Sequence, residues 1–466
     1  MKAPILFLCF LSALCGPSIA AKPNIILIFA DDQGYQDMSC FGHPKIKTPN
    51  MDRLAKEGRK FTAFYSVNPV CSASRAGLMT GCYPTRVGIQ GVLFPNAKIG
   101  LNPDEITIAE ILKEQGYATA CVGKWHLGHL PQFLPTSQGF DSYFGIPYSN
   151  DMGYDPKMAR SENIVLRDGV TLEELTKTQG RKHLAPLMRN TEVIEVPSDQ
   201  RTLTKRYTEE ALKFITANKA GPFFLYLPHT MPHIPLFVTE RFKDKSAGGL
   251  YGDVIEEMDW SVGEILRTVQ DLEIDENTLI VYTSDNGPWL GVGKRGGSAL
   301  PLRGGKFTTY EGGVREPTLM RWPGKIPAGT VCSEVASTID LLPTFAKLAG
   351  SEAPKDRVID GKDIWPLVSG MDGAKSPHEA FFYYKDNTLE AVRAGKWKFR
   401  SGPLDLASKK AGRKGRETAL FDLEADKSET TNLLEKHPDV AERLKNLIAE
   451  FDAKRKANSR PAGIQK

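Results

Sequence analysis

The chain has little net charge to offer a partner. Its 60 lysine and arginine residues against 56 aspartate and glutamate residues leave +4 over 466 positions. No basic excess marks nucleic acid as a target. No Asn-x-Ser/Thr acceptor occurs anywhere, which favours a bacterial export route over a glycoprotein one. Beyond the N-terminus there is no apolar stretch long enough to cross a bilayer, so no membrane span is expected. There is no internal repeat, which excludes repeat architectures. Cysteine is scarce: seven residues, of which Cys9 and Cys15 fall in the first twenty positions.

Those first twenty positions read as a leader. Lys2 supplies a positive charge, 5–14 is a short apolar run, and Ser18-Ile19-Ala20 sets small residues at −3 and −1. Cleavage after Ala20 and a secreted or periplasmic mature protein are expected. A lipid anchor on Cys15 is disfavoured, because Leu14 precedes it where a small residue belongs. Five cysteines then remain: Cys40, Cys71, Cys82, Cys121 and Cys332. An odd number in an exported protein allows one reserved for chemistry, although five small buried hydrophobes give the same count. Whether Cys40, Cys82, Cys121 and Cys332 pair is not legible.

What is present is ordinary globular composition, 41% hydrophobic and 25% charged, sufficient for a large core and a smaller appendage. Residues 24–30 form a continuous apolar run, as in a strand buried on both faces. Further such runs lie at 117–123, 223–227 and 278–283, with helical patterns at 50–60 (ending near Gly58), 106–115 (capped by Gly116), 205–218 and 251–272. Strands alternating with helices predict an α/β protein whose mostly parallel sheet is flanked by helices. Near residue 370 the texture changes to short aromatic runs at 381–384 and 397–400, then a terminal helix at 437–455. The expected division is a leader 1–20, a catalytic domain 21–375, and a C-terminal α+β subdomain 376–466 with a short antiparallel sheet. The basic segment 408–416 reads as a solvated loop, with a grip on an anionic polymer as the minor alternative.

Each core strand ends in polar residues: Asp31-Asp32, Lys124-Trp125-His126, His229, and Asp285-Asn286. Ligands of open α/β sheets bind outside the carboxyl ends of the strands, so one crevice collects these groups. Asp31, Asp32, Asp285 and Asn286 offer only oxygen, which suits Ca²⁺ or Mg²⁺ better than zinc. Singly, each pair is an ordinary turn signal. Lys306 follows Arg303-Gly304-Gly305, where glycines permit close backbone approach. Lysines beside a metal suit an anion whose charge must be neutralised during transfer.

Cys71-Ser72-Ala73-Ser74-Arg75, followed by Ala76-Gly77-Leu78-Met79-Thr80-Gly81, resembles the type I sulfatase signature, in its less common alanine form. Gly123-Lys124-Trp125-His126-Leu127-Gly128 resembles the second sulfatase signature. Pro23-Asn24-Ile25, Gly139-Phe140-Asp141, Pro228-His229, Ser284-Asp285-Asn286-Gly287, 302–306 and Glu311-Gly312-Gly313-Val314-Arg315-Glu316-Pro317 resemble sulfatase segments in the same order. Leu420-Phe421-Asp422-Leu423 and Glu429-Thr430-Thr431-Asn432-Leu433 resemble the family's C-terminal part. The resemblance spans the mature chain and is nearest to the arylsulfatase A and N-acetylgalactosamine-6-sulfatase group.

That resemblance implies an alkaline-phosphatase-like sandwich. It implies that a separate formylglycine-generating enzyme converts Cys71 to an aldehyde that rests as its hydrate. One hydroxyl would attack sulfur and the other would expel sulfate, an exit a serine lacks. It implies one Ca²⁺ held by Asp31, Asp32, Asp285, Asn286 and modified Cys71. Arg75 and Lys124 would hold the hydrate, and His126 would take a proton. His229, Lys306 and Ser149 would contact the sulfate, and His229 or Lys306 would protonate the leaving alcohol. His233, Lys294 and Arg295 are candidate contacts to an anionic sugar. The implied substrates are sulfated glycans or aryl sulfates. Two alternatives stand: a phosphate or phosphonate ester hydrolase of the same superfamily, and a glycan-binding pseudoenzyme with Cys71 unconverted.

Overall fold

The computed structural model describes residues 22–177, 183–401 and 418–465. The leader, its cleavage point and the basic segment 408–416 lie outside the described residues.

Six strands frame the site: β1 (Asn24–Ala30), β2 (Arg59–Tyr65), β3 (Ala118–Val122), β4 (Phe223–Pro228), β5 (Thr278–Ser284) and β6 (Arg315–Arg321). They stand side by side in a 12-stranded sheet in the order β2-β6-β5-β1-β4-β3. β1 pairs in parallel with both β5 and β4, and β4 pairs in parallel with β3. β6 runs antiparallel to β5 and to β2, so β2 points the same way as the parallel group. Five strands therefore end on one edge, in register: Ala30 lies beside Ser284, and Phe29 beside Pro228.

The sheet is covered on both faces, which is why β1, β4 and β5 are fully buried and apolar through their middles. Burying a Leu or Ile side chain contributes roughly 1.5–3 kcal/mol. Five helices matter here: α1 (Pro49–Glu57), α2 (Cys71–Thr80), α3 (Leu203–Ala217), α4 (Gly249–Asp271) and α5 (Pro438–Ala457). Ile25, Leu27, Phe29, Leu279 and Val281 share a core with Leu78 and Met79 of α2. Ile26, Ile28, Ile280 and Tyr282 share the other with Tyr207 of α3 and Val262 and Ile265 of α4. Side chains alternate between faces along a strand.

The second sheet has four antiparallel strands: Phe381–Lys385, Thr388–Ala394, Trp397–Arg400 and Ala419–Asp422. Helix α5 covers it, with Phe451 stacked on Phe382 at 3.8 Å between ring centroids. A buried charge cluster ties it to the segment after Lys306. Glu311 accepts hydrogen bonds from Lys398 Nζ (2.8 Å), Tyr383 Oη (2.9 Å) and Tyr65 Oη (2.6 Å). Burial opposes its charge, but Lys398, Arg315 and Arg393 hold its carboxyl well below the usual range. Glu429 closes the cluster, accepting from the Glu311 amide at 2.7 Å and pairing with Lys398 at 2.9 Å.

Elements depart from expectation mainly at their ends. The helix expected to end near Gly58 ends at Glu57 with Gly58 as its cap, and Arg59 opens β2. The 106–115 helix shrinks to Ile108–Glu114, opened by a Thr107–Glu110 capping box and closed by Gln115 rather than Gly116. The strands β2 and β6 and the helix α2 were not anticipated, and α2 begins at Cys71 itself.

Candidate active site

The strand ends converge as the sheet register requires. β1 delivers Asp31 and Asp32. Asp32 turns into the left-handed region, with φ 67, a conformation that non-glycine residues keep only where the surroundings enforce it. Its amide donates to Asp285 Oδ1 at 3.1 Å. β3 delivers Lys124 through Gly123, where a Cβ would lie 1.8 Å from the Pro228 carbonyl oxygen. Only glycine allows that approach. β2 leads into α2, which sets Cys71 at a helix N-terminus, where the backbone favours negative charge.

Every polar group there leans on another. Arg75 donates to Asp285 Oδ2 from Nε (3.0 Å) and Nη2 (2.8 Å), and from Nη1 to the Lys124 carbonyl oxygen (2.8 Å). Lys124 Nζ donates to Asp31 Oδ2 and lies 3.5 Å from Ser149 Oγ. Lys306 Nζ donates to Asp32 Oδ2 at 2.7 Å and lies 3.6 Å from Cys71 Sγ. Asn286 Nδ2 donates to Asp32 Oδ1 at 2.7 Å.

Burial dominates the electrostatics. It pushes the Cys71 thiol up to about 12, against the pull of Lys124 and Lys306. It raises Asp285 to about 6, helped by the charge of Asp31, and it raises Asp32 despite Lys306. Lys306 is held charged in spite of burial by Asp32 beside it. As a thiol, Cys71 is thus neutral near pH 7, and only the thiolate is a strong nucleophile.

The groups fit a cation. Asp31 Oδ1 and Asn286 Oδ1 are buried with no hydrogen-bond partner among the described residues. The ligand atoms of Asp31, Cys71 and Asp285 lie within 4.8 Å of one another, as do those of Asp32, Cys71 and His233. Three carboxylates and an amide oxygen make a hard donor set.

The histidines divide. His126, with φ 63, meets the Leu93 carbonyl oxygen through Nε2 at 2.9 Å, and Nδ1 has no partner. Burial, then Lys124 and Arg75, hold its pKa far below the usual value, so it is a neutral base. His233 reaches the cluster: Nε2 lies 3.6 Å from Asp32 Oδ2, and Nδ1 lies 3.3 Å from Ser149 Oγ. His229, expected on the sulfate, turns the other way. Its Nε2 meets Ser261 Oγ of α4 at 3.3 Å, and burial alone lowers its pKa to about 4. His233, by contrast, feels Lys306 and Lys124 after burial. Strand alternation explains this: His229 continues the Leu225 and Leu227 face, the one covered by α3 and α4.

Of the sequence-expected residues, Cys71, Arg75, Lys124, His126, Lys306, Asp31, Asp32, Asp285, Asn286, Ser149 and His233 are brought together; His229 is not. Lys294 and Arg295 are exposed in a short 3₁₀ turn. Two residues went unanticipated. Asn150, next to Ser149, meets His233 Nδ1 at 3.1 Å. Trp289, three positions past Asn286, sits with its ring centroid 5.1 Å from Lys306 Nζ and 5.9 Å from the His233 ring. The five cysteines Cys40, Cys71, Cys82, Cys121 and Cys332 are all unpaired.

A carboxylate cluster, two lysines and an arginine around one buried residue at a helix N-terminus define a hydrolase of anionic esters. The chain belongs to the sulfatase family. A model of that family matches residues 23–351, and one of the N-sulphoglucosamine sulphohydrolase C-terminal region matches 305–456. It is 41% identical to arylsulfatase A of Homo sapiens over 97% of this chain and 92% of that protein. It is 42% identical to N-acetylgalactosamine-6-sulfatase of Canis lupus familiaris over 81% of this chain and 71% of that one. Among solved structures, Ps i-CgsB in complex with k-i-k-neocarrahexaose has a TM-score of 0.80 at 30% identity, covering 96% of this chain and 95% of that chain. The chain is therefore a sulfatase, with the alkaline-phosphatase-like sandwich of its structural neighbours. A phosphonate monoester hydrolase of Agrobacterium radiobacter, at 19% identity and a TM-score of 0.60, shares the fold alone. No described helix is long and apolar enough to cross a membrane.

Proposed function

We propose that this sulfatase acts on sulfated glycans or aryl sulfates through Cys71 converted to formylglycine, with one Ca²⁺ held by Asp31, Asp32, Asp285, Asn286 and the modified residue. The observation that carries the reading is the position of Cys71, among Asp31 and Asp285 and 3.6 Å from Lys306. Ca²⁺ would supply positive charge beside the reacting oxygens. The formylglycine hydrate would supply two hydroxyls on one carbon, one for attack on sulfur and one for release.

The chain's own residues do the rest. Arg75 locks Asp285 and, with Lys124, braces the nucleophile's carbon. Lys124, Lys306, Ser149 and His233 bind the sulfate oxygens, a fixed set of donors that need not reorganise as charge shifts. His126, kept neutral, accepts the proton at Nδ1, the nitrogen left without a partner. Lys306, held charged by Asp32, protonates the leaving alcohol. His233 thus takes the sulfate contact read from sequence at His229. His233→Ala is expected to lower kcat/KM by about 10²–10³-fold. His229→Ala is expected to lower the melting temperature while leaving kcat/KM of the folded protein nearly unchanged. Steady-state kinetics on both decide; the reverse pattern returns the role to His229.

A phosphate ester reading competes. Aryl sulfate is expected to be turned over at least about 10-fold faster than the matching aryl phosphate on one preparation. Faster phosphate turnover would replace the proposal. Export by the leader expected at 1–20 would bring the enzyme to external sulfated glycans, and a formylglycine-generating enzyme would be its maturation partner. We keep the division into a catalytic unit 21–375 and a C-terminal unit 376–466.

A further inference from the structure

A cavity of about 500 Å³ lies beside the anion pocket and takes no part in the chemistry above. The two share a wall. Gln200 and Pro235 line the cavity, and both hold Asn150. Asn150 Nδ2 donates to Gln200 Oε1 at 2.9 Å and to the Pro235 carbonyl oxygen at 3.0 Å, and Gln200 Nε2 donates to the Asn150 carbonyl oxygen at 2.9 Å. Asn150 meets His233 and follows Ser149. A ligand whose sulfate rests between His233, Ser149 and Lys124 thus has the cavity one side-chain layer away.

The lining holds unused polar capacity. Ser198 is 5% exposed, yet its hydroxyl has no hydrogen-bond partner among the described residues. A buried hydroxyl left so is costly unless a ligand completes it. Arg167 uses Nε on Glu195 at 2.7 Å, and Arg201 uses Nε and Nη2 on Asp199 at 2.9 and 3.1 Å. The other guanidinium N–H groups of both have no partner among the described residues. Asp168 and Asp199 balance the two arginines on the cavity wall, so an anion gains no net charge there. Phe237 and Pro197 add apolar surface. Planar polar side chains around apolar faces, with no net charge, match the hydroxyls and ring of a neutral pyranose.

We infer that this cavity is a subsite for an uncharged sugar residue linked to the sulfated one, and that it sets a preference for oligosaccharides over monosaccharides. The inference rests on the sulfatase reading of the neighbouring pocket. The test uses Cys71-converted enzyme, an aryl sulfate, and a panel of 2-, 4- and 6-sulfated hexoses. Each hexose is supplied free, with a neutral sugar neighbour, and with a uronic acid neighbour. The expected result is at least about a 10-fold gain in kcat/KM from the neutral neighbour. Arg201→Ala and Asp168→Asn should remove most of it, leaving aryl sulfate turnover within about two-fold of the parent. Both positions suit substitution: Arg201 is 67% exposed at its side chain, and Asp168 has φ 53, which asparagine tolerates. Equal rates on free and extended sugars, a gain only with the uronic acid, or equal losses on aryl sulfate would each overturn the subsite. So would aryl sulfate turnover with no oligosaccharide accepted. Failure on aryl sulfate and every sugar alike would instead sink the reading of the catalytic pocket.

Discussion

Cys71→Ala is expected to abolish sulfate release, by at least about 10⁴-fold, in a protein that still folds. Cys71 is small and 2% exposed, so the change removes one atom from the first turn of α2 and costs about 1 kcal/mol. The basic groups of the pocket are already engaged. Lys306 and Lys124 are engaged with Asp32 and Asp31, and His126 holds the Leu93 carbonyl oxygen. The unconverted thiol is a poor substitute, since burial keeps it protonated up to about pH 12. Sulfate release by the variant and the mass of the parent's Cys71 peptide are the paired measurements. Retained activity in the variant would refute the assigned nucleophile. An unconverted peptide in an active parent would refute the formylglycine.

Removing Ca²⁺ is expected to cost both activity and stability, and the stability cost should depend on pH. Asp285 sits at about 6, raised by burial and then by Asp31, and Asp32 is raised as well. A carboxyl whose folded pKa lies above its unfolded value binds its proton more tightly when folded. The metal-free fold therefore loses that contribution as pH climbs from 3.8 through about 6. A divalent cation favours the ionised carboxylates and reverses the penalty. Ca²⁺ should then raise the melting temperature by about 5 °C or more at neutral pH and hardly at all near pH 4. Comparing chelated and Ca²⁺-loaded protein across that range isolates the carboxylates from the buried histidines, which are present in both. Identical melting at neutral pH would remove the ion from the site.

The core of this arrangement was legible because parallel strands buried on both faces are apolar along most of their length. Asp31-Asp32 and Asp285-Asn286 therefore announce the strand ends, and the ends announce the crevice. The helix starting at Cys71 was not legible. Its ten residues are all buried, so Cys71-Ser72-Ala73-Ser74 shows no polar face to set a period. The direction of His229 also has a signal in the sequence. Counting alternate residues from Leu225 through Leu227 turns His229 toward α4, and the next histidine, His233, lies past the turn. The second sheet's contribution was hidden for another reason. Glu311, Lys398 and Glu429 are distant in sequence, and only the packed fold brings them together.

That buried cluster has a consequence for recombination between relatives. Glu311 is matched by Lys398, 87 positions downstream, and its amide by Glu429, 118 positions downstream. Arg303 Nη1 also donates to the Glu429 carbonyl oxygen at 2.8 Å. A crossover between 311 and 398 inherits one half of the cluster from each parent, and succeeds only where both parents carry the same charges. The second sheet is thus a fixed companion of the loop that carries Lys306, inherited with it rather than exchanged as an independent module.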